Sequence, residues 1–258
     1  MVEFSEARAR SFSRAAQRYG AHRPAYPAAL FDAVETLAGR PLRGARTADV
    51  GAGTGLATAG LRDRGARVVA VEPGDGMAAE FRRRLPDVPL VRGDGNRLPL
   101  ATASLDLVTY AQSFHWTDPA RSVPEAARVL RPGGALALFW NEPDVAVPWI
   151  AEQDARIRDR FGEGWYTADH RVRGTGAEGP AARFTDRTLH WSRRVPLDVH
   201  LAKLSTHSLF LTAGAAGEEF LAAERALLTA RFPSGEVEEH YAVELRLAVM
   251  PPSSRRPR

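Results

Sequence analysis

The stretch Thr47-Ala48-Asp49-Val50-Gly51-Ala52-Gly53-Thr54-Gly55-Leu56 joins a short strand pattern to a helix pattern through glycines spaced G-x-G-x-G. Glycines at such a junction let the backbone take φ > 0 and let a ligand approach where a Cβ would collide. The helix that follows aims its free N–H groups at the same spot. The loop therefore reads as one wall of a nucleotide-like cofactor site, and taken alone it reads equally as a tight turn. A dinucleotide fingerprint would need glycine where Leu56 stands, and a Walker A loop would need a Gly-Lys-Ser/Thr run that the chain lacks.

Working outward, strand-like and helix-like patterns alternate. Ala48–Val50, Arg67–Val71, Pro89–Arg92, Leu105–Ala111 and Ala135–Trp140 read as strands, the last after the turn Arg131-Pro132-Gly133-Gly134. Gly55–Arg64, Gly76–Leu85 and Pro119–Val129 read as helices between them. This order predicts a parallel sheet with crossover helices. Phe184–Val195 and Glu238–Val249 alternate as two late strands, with Leu197–Leu211 and Gly217–Phe232 helical between them. The expected fold is α/β: a doubly wound, Rossmann-like seven-stranded sheet, mostly parallel, with an antiparallel C-terminal edge hairpin. Residues 1–250 are expected to form a single domain, comprising an N-terminal helical cap (1–40), a cofactor-binding core (41–140), a lid or insertion (141–182) and C-terminal strands and helices (183–250). The insertion holds a helix around Val147–Arg160 and the glycine-rich loop Arg173–Pro180, and the basic tail 251–258 is expected to be disordered.

Composition narrows the function. At 258 residues and 44% hydrophobic the chain can bury a substantial core, and with no cysteine it offers no disulfide, thiolate metal site or cysteine nucleophile. No long apolar run or signal-like N-terminus is present, so a soluble, cytoplasmic protein with no membrane partner is expected. The net charge of +4 owes three units to Arg255, Arg256 and Arg258, which leaves the body nearly neutral and argues against nucleic acid. Lys203 is the only lysine among 35 basic residues, a bias toward arginine that has no need of a phosphate-binding explanation.

Ligands of doubly wound sheets lie outside the C-terminal ends of the parallel strands. After the second strand, Glu72 in Val71-Glu72-Pro73 could accept from both hydroxyls of a ribose, or serve as a helix-capping acid. After the third, Asp94 in Gly93-Asp94-Gly95-Asn96 could accept from an adenine amine while its glycines leave room for the ring, or be a turn residue. Asp49 could orient the glycine loop by bonding its N–H groups and support the cofactor indirectly. Three acids around one cleft favour a cationic ligand over an anionic dinucleotide.

In order and spacing, DVGAGTG, AVEPGDGM, GDGNRLPL, LDLVTYAQSFHW and ARVLRPGGALALFW, spread over roughly residues 19–140, resemble the motifs of class I S-adenosylmethionine (SAM) dependent methyltransferases. The chain is similar to a small-molecule subgroup with a Tyr19…Arg23-Pro24-Ala25-Tyr26-Pro27 segment and a Ser113-Phe114-His115-Trp116 end to the fourth strand. Trp191 and Ser205-Thr206-His207-Ser208 look like the same subgroup. The resemblance implies SAM as cofactor and S-adenosyl-L-homocysteine as product. It implies cofactor contacts from Asp49, Gly51, Ala52, Gly53, Gly55, Glu72, Pro73, Met77, Gly93, Asp94, Gly95, Asn96, Ala111, Gln112, Ser113 and Trp116. It also implies an N-terminal segment folded over the cofactor, with Tyr19 and Arg23 near its carboxylate.

Methyl transfer mainly requires holding a nucleophile in line with the departing sulfur and excluding water. For a phenol, alcohol or activated carbon, His115 is the candidate general base, and it reads equally as a wall residue beside Trp116. Ala111-Gln112-Ser113-Phe114 stands where amino-methyltransferases of nucleic acids carry an Asn/Asp-Pro-Pro-aromatic grip, which again disfavours nucleic acid. Asp118, Asn141 and Asp144 are loop residues more than a metal set, so no metal is expected. The sequence thus points to transfer of methyl to oxygen, carbon or nitrogen of a small organic molecule, in specialised (natural-product) metabolism, by a monomer or homodimer. The alternatives are a SAM-binding protein that catalyses a non-methylating reaction such as cyclisation, and a non-catalytic SAM-binding module.

Overall fold

The computed structural model describes residues 20, 22–162 and 183–251. Tyr19, the first part of the N-terminal cap, the loop Arg173–Pro180 within 163–182, and the tail beyond residue 251 lie outside the described residues.

Seven strands, β1 (Arg46–Val50), β2 (Arg67–Val71), β3 (Leu90–Val91), β4 (Leu105–Ala111), β5 (Leu130–Pro143), β6 (Thr185–Pro196) and β7 (Glu236–Val249), form one sheet in the order β3-β2-β1-β4-β5-β7-β6. β1 pairs in parallel with β2 and β4, β2 with β3, and β4 with β5. The direction then reverses. Gly133 N–H donates to Met250 O and Met250 N–H to Gly134 O, while Asp144 N–H donates to His240 O, the descending pairing of antiparallel strands. Side-chain pairs Asp186–Arg246 and Arg193–Glu239 follow the same descending pattern between β6 and β7. The mostly parallel sheet with an antiparallel edge pair is therefore what the alternating patterns specify.

Burial explains why these segments become central strands. β1 has one exposed residue followed by four buried ones, and the first six residues of β4 are buried. Strands covered on both faces read as continuous apolar runs. Val50, Val71, Val108, Tyr110, Phe114, Leu136, Leu138 and Trp140 form the cluster against the sheet. At the start of these strands the buried Asp106 accepts from Arg46 N–H at 2.7 Å and pairs with the guanidinium groups of Arg40 and Arg131 at 3.4 and 2.5 Å. That carboxylate ties the starts of β1, β4 and β5 together.

Helices α1 (Ala28–Ala38), α2 (Leu56–Asp63), α3 (Asp75–Arg84) and α4 (Pro119–Val129) accompany the parallel strands, and α5 (Pro148–Phe161), α6 (Leu197–Leu204), α7 (Ser208–Thr212) and α8 (Ala215–Arg231) follow. α4 starts where its sequence says it should: Asp118 caps it by accepting from Ala120 N–H at 3.0 Å, and Pro119 occupies the first turn. The chain divides into two compact units. One contains Ala25–Asn141, the described stretch up to Leu189 and the stretch from Val243; the other contains Arg23 and Pro24, Glu142 through α5, and His190–Ala242. The second unit has its own apolar cluster, including Trp149, Ile157, Leu201, Phe210 and Leu228. Phe161 lies edge-on to Phe210 and Phe220 at 5.6 and 5.4 Å between centroids.

Two expected boundaries move. Leu197–Leu211 is two helices, because Ser205 Oγ bonds Ala202 O at 2.7 Å and Thr206 Oγ1 bonds Lys203 O at 2.6 Å at the break between them. Such local bonds compete with helix continuation. The fifth strand runs through the Pro132-Gly133-Gly134 turn, since both glycines are held in the ladder by Met250.

Candidate functional site

The chain order leaves β1 for β2 and β3 on one side and returns through β4 on the other, so the ends of β1 and β4 form the topological switch point where such sheets bind ligands. The glycine loop begins there. Gly51, Gly53 and Gly55 have φ of +67°, +58° and +88°. Two of them are glycines for the protein's own sake: a Cβ on Gly51 would lie 2.5 Å from Ser113 Cβ, and one on Gly55 would lie 2.5 Å from Leu85 Cδ1. Gly53 differs, because a Cβ there meets nothing nearer than the Gly51 carbonyl at 4.0 Å. That position faces open space.

Glu72 holds the loop. Its Oε2 accepts from Gly53 N–H at 2.8 Å and its Oε1 from Gly74 N–H at 2.7 Å. Burial pushes this carboxyl above its ordinary range, with the two N–H bonds and the charge of Arg92 opposing and that of Asp49 adding. Two of its four acceptor positions are used by the backbone, which leaves capacity for a ligand's hydroxyls. Asp49, fully buried, accepts from Thr58 Oγ1 at 2.5 Å and from Thr109 Oγ1 at 3.0 Å, and burial raises its carboxyl too. The role of bonding a loop N–H, expected of Asp49, thus falls to Glu72. Asp49 instead fastens α2 and β4 to β1. Thr54 Oγ1 is buried in the loop without a hydrogen-bond partner among the described residues. Sequence reasoning passed over it, the only signal being a polar side chain amid glycines.

Around the third strand end, Asp94 is exposed and its Oδ1 accepts from Asn96 N–H at 2.6 Å, so it forms the turn that was the alternative reading. Asn96 Oδ1 in turn accepts from Asp118 N–H at 2.7 Å. A Cβ on Gly93 would meet Pro99 Cδ at 2.8 Å, and one on Gly95 would meet Tyr110 Cε1 and Thr117 Cγ2 at 2.8 Å. These glycines make room for the protein's own side chains. Met77 is buried on α3, and the Pro73 carbonyl accepts from Arg92.

At the end of β4, Ala111 pairs with Phe139 of β5, and Gln112 takes φ +57°, uncommon for a residue with a side chain. Gln112 is pinned by its N–H to Phe139 O at 2.9 Å and its Nε2 to Asn141 O at 3.0 Å. Held strain of this kind clusters at ligand sites. Ser113 Oγ donates to Val50 O at 2.5 Å, locking the strand ends of β4 and β1 together. His115 and Trp116 follow on one 3₁₀ turn with ring centroids 4.9 Å apart, and Trp116 is 38% exposed.

Arg23 belongs to the other unit, where its Nε donates to Thr206 Oγ1 at 3.0 Å. The Arg-Pro-x-Tyr-Pro and Ser-Thr-His-Ser segments, noted separately in the sequence, therefore meet. In the same unit Trp191 stacks on Tyr241 at 5.0 Å, while Tyr26, in the glycine-loop unit, lies edge-on to Phe139 at 5.0 Å. No group of three or more metal-ligating side chains gathers among the described residues, and no helix among them is long and apolar enough to cross a membrane.

Residues 48–138 match the family described as Methyltransferase domain. Over 142 residues the chain is 44% identical to an uncharacterized methyltransferase of Mycobacterium tuberculosis (strain ATCC 25618 / H37Rv), covering 55% of this chain and 56% of that protein. Over 106 residues it is 42% identical to a demethylmenaquinone methyltransferase of Beutenbergia cavernae, covering 41% and 43%. The chain thus spans about half the length of the curated relatives it matches. The solved structure of a candidate type II methyltransferase from Anaeromyxobacter dehalogenans aligns with a TM-score of 0.66 at 28% identity, over 89% of this chain and 99% of that one. The matched segment contains the glycine loop, Glu72, the Asp94 turn and the end of β4, and over that segment the chain is similar to methyltransferase domains.

Proposed function

We propose that this chain binds SAM at the glycine loop and transfers its methyl group to oxygen, carbon or nitrogen of a small organic molecule, in specialised metabolism. The observation that carries the reading is the pairing of Gly53 with Glu72. At this one loop position the glycine faces open space, and its N–H is held by a buried carboxylate with acceptor capacity to spare. The donor set fits the cofactor. Glu72 can take ribose hydroxyls, the Thr54 hydroxyl stands ready at the loop, and two buried acids, Asp49 and Glu72, favour a fixed cation.

Bound SAM supplies an electrophilic methyl group on a cationic sulfur. What the chain contributes is placement. Ser113 and Gln112 fix the end of β4 beside the loop, which sets the wall against which an acceptor must lie, and holding it about 3 Å from the methyl carbon in line with the sulfur accounts for most of the rate. For an alcohol, phenol or activated carbon acceptor, His115 is the group we assign to take the proton; a carboxylate acceptor needs no base. Incubation with methyl-labelled SAM and a panel of small phenols, amines, alcohols and acids tests the reading. Label in an extractable product is expected; neither SAM binding nor transfer to any acceptor would end it.

A further inference from the structure

Arg92 follows β3 directly and reaches back to the turn that holds Glu72. The polar backbone groups of that turn can be followed bond by bond. Glu72 N–H donates to Val91 O at 3.1 Å, which anchors the start of the turn to the last residue of β3. Gly74 N–H donates to Glu72 Oε1 at 2.7 Å, and Gly74 O accepts from Ala78 N–H at 2.9 Å as α3 begins. Pro73 has no N–H to give, and its carbonyl accepts from the Arg92 guanidinium. The same guanidinium pairs with Asp75 in the first turn of α3. Arg92 therefore bonds the residue on each side of Gly74, whose N–H holds one oxygen of the Glu72 carboxylate.

The ion pair itself does little for folding. The Arg92 side chain is 43% exposed and that of Asp75 95%, and pairs so open to water contribute little. What the contact fixes is geometry. Glu72 Oε1 follows the position of Gly74 while Oε2 holds Gly53 of the glycine loop, so a shift of the turn swings the carboxylate away from the loop. A guanidinium suits this task, because its two terminal nitrogens donate in fixed directions, one to the Pro73 carbonyl and one to the Asp75 carboxylate. Its charge works to the same end. The charged groups about Glu72 are Asp49 of β1, which opposes ionisation of its carboxyl, Arg92, which favours it, and Asp75 of α3, which is paired to Arg92.

We propose that Arg92 is a positioning residue of the cofactor site: it holds the Pro73-Gly74-Asp75 turn so that the Glu72 carboxylate stays aimed, and it acts on the cofactor through Glu72. The inference rests on the reading of the glycine loop and Glu72 as a SAM site. A wild type that binds no S-adenosyl-L-homocysteine would end both, whereas a wild type that binds it and an Arg92 variant that binds it equally well would end this inference alone.

The test is a double-mutant cycle, read by calorimetric titration of S-adenosyl-L-homocysteine into the full chain as wild type, Arg92→Met, Glu72→Gln and the double variant. Arg92→Met is expected to bind at least about threefold more weakly than the wild type, and to cause no further weakening once Glu72 is Gln. It is expected to melt within about 4 °C of the wild type, as loss of an exposed pair implies. Unchanged affinity in Arg92→Met, or the same weakening in both backgrounds, would overturn the proposal. Titrations between about pH 5 and about pH 8 add a readout that a merely structural arginine would not move. Without the cation the Glu72 carboxyl rises further, so the affinity of Arg92→Met is expected to fall away at a higher pH than that of the wild type. Arg92→Lys keeps the charge without the two-pronged hold, and is expected to restore the wild-type pH profile while still binding more weakly. Coincident pH profiles for wild type and Arg92→Met count against the assignment. Where Arg92→Met fails to fold, Arg92→Lys run through the same cycle decides it, weakening confined to the Glu72 background being the expected result and equal weakening in both the contrary one.

Discussion

Two buried glutamates, one in each unit, sit in contrasting company. Glu72 receives hydrogen bonds from the neutral backbone N–H groups of Gly53 and Gly74, and burial pushes its carboxyl upward. Burial alone would also raise Glu239, but the hydrogen bond from His200 and the charge of Lys203 outweigh it and hold that carboxyl well below its ordinary range. The first has only neutral donors on its oxygens and keeps acceptor positions unused. The second has both oxygens engaged, Oε1 by Lys203 and His200 and Oε2 by Arg193 and Tyr241. What surrounds a buried acid, beyond its burial, decides which way its carboxyl shifts.

The contrast is broken most severely by Glu239→Gln, which leaves the buried Lys203 without its counter-ion. A loss of about 3–5 kcal/mol in denaturant unfolding is expected. Within the loop, Gly51→Ala should cost about 2–4 kcal/mol, since the new methyl meets Ser113 while φ stays left-handed. Acid titration separates the charged cluster from the loop by sign. Because the folded pKa of Glu239 lies below its unfolded value, its stabilisation is complete above about pH 4.3 and is lost as pH falls below that. The acid limb of stability of Glu239→Gln should therefore be shallower than the wild type's by about 1.4 kcal/mol per pH unit. Gly53→Ala is the mildest for folding, about 1–2 kcal/mol from φ alone, and its larger effect should be on SAM affinity by calorimetry, since its Cβ enters the space left for the ligand.

The same contrast shows what a sequence discloses. β1, β2, β4 and α4 were legible because their signals are local: apolar runs, a glycine loop, an Asp-Pro start. Glu72 could be singled out as a candidate because it follows a strand end, whereas its bond to Gly53 spans 19 residues and no pattern announces it. Asp94 and its glycines looked like a place made for a ring, yet Tyr110, Thr117 and Pro99 occupy the space those glycines leave. The helix break at Ser205–His207 was hidden because hydroxyl-to-carbonyl bonds carry no periodic signature. The Glu239 cluster was invisible for a similar reason, its members being gathered from β6, α6 and β7 by strand pairing and helix packing.

The most direct test of the central claim is a calorimetric titration of S-adenosyl-L-homocysteine into the wild type and Glu72→Gln, with NADH as control. The wild type should bind the homocysteine product and not NADH, and Glu72→Gln should bind it at least roughly tenfold more weakly, through loss of a charged acceptor in a buried site. Binding of NADH in place of S-adenosyl-L-homocysteine, or equal affinity in the two proteins, would contradict the assignment of the glycine loop and Glu72 as the cofactor site.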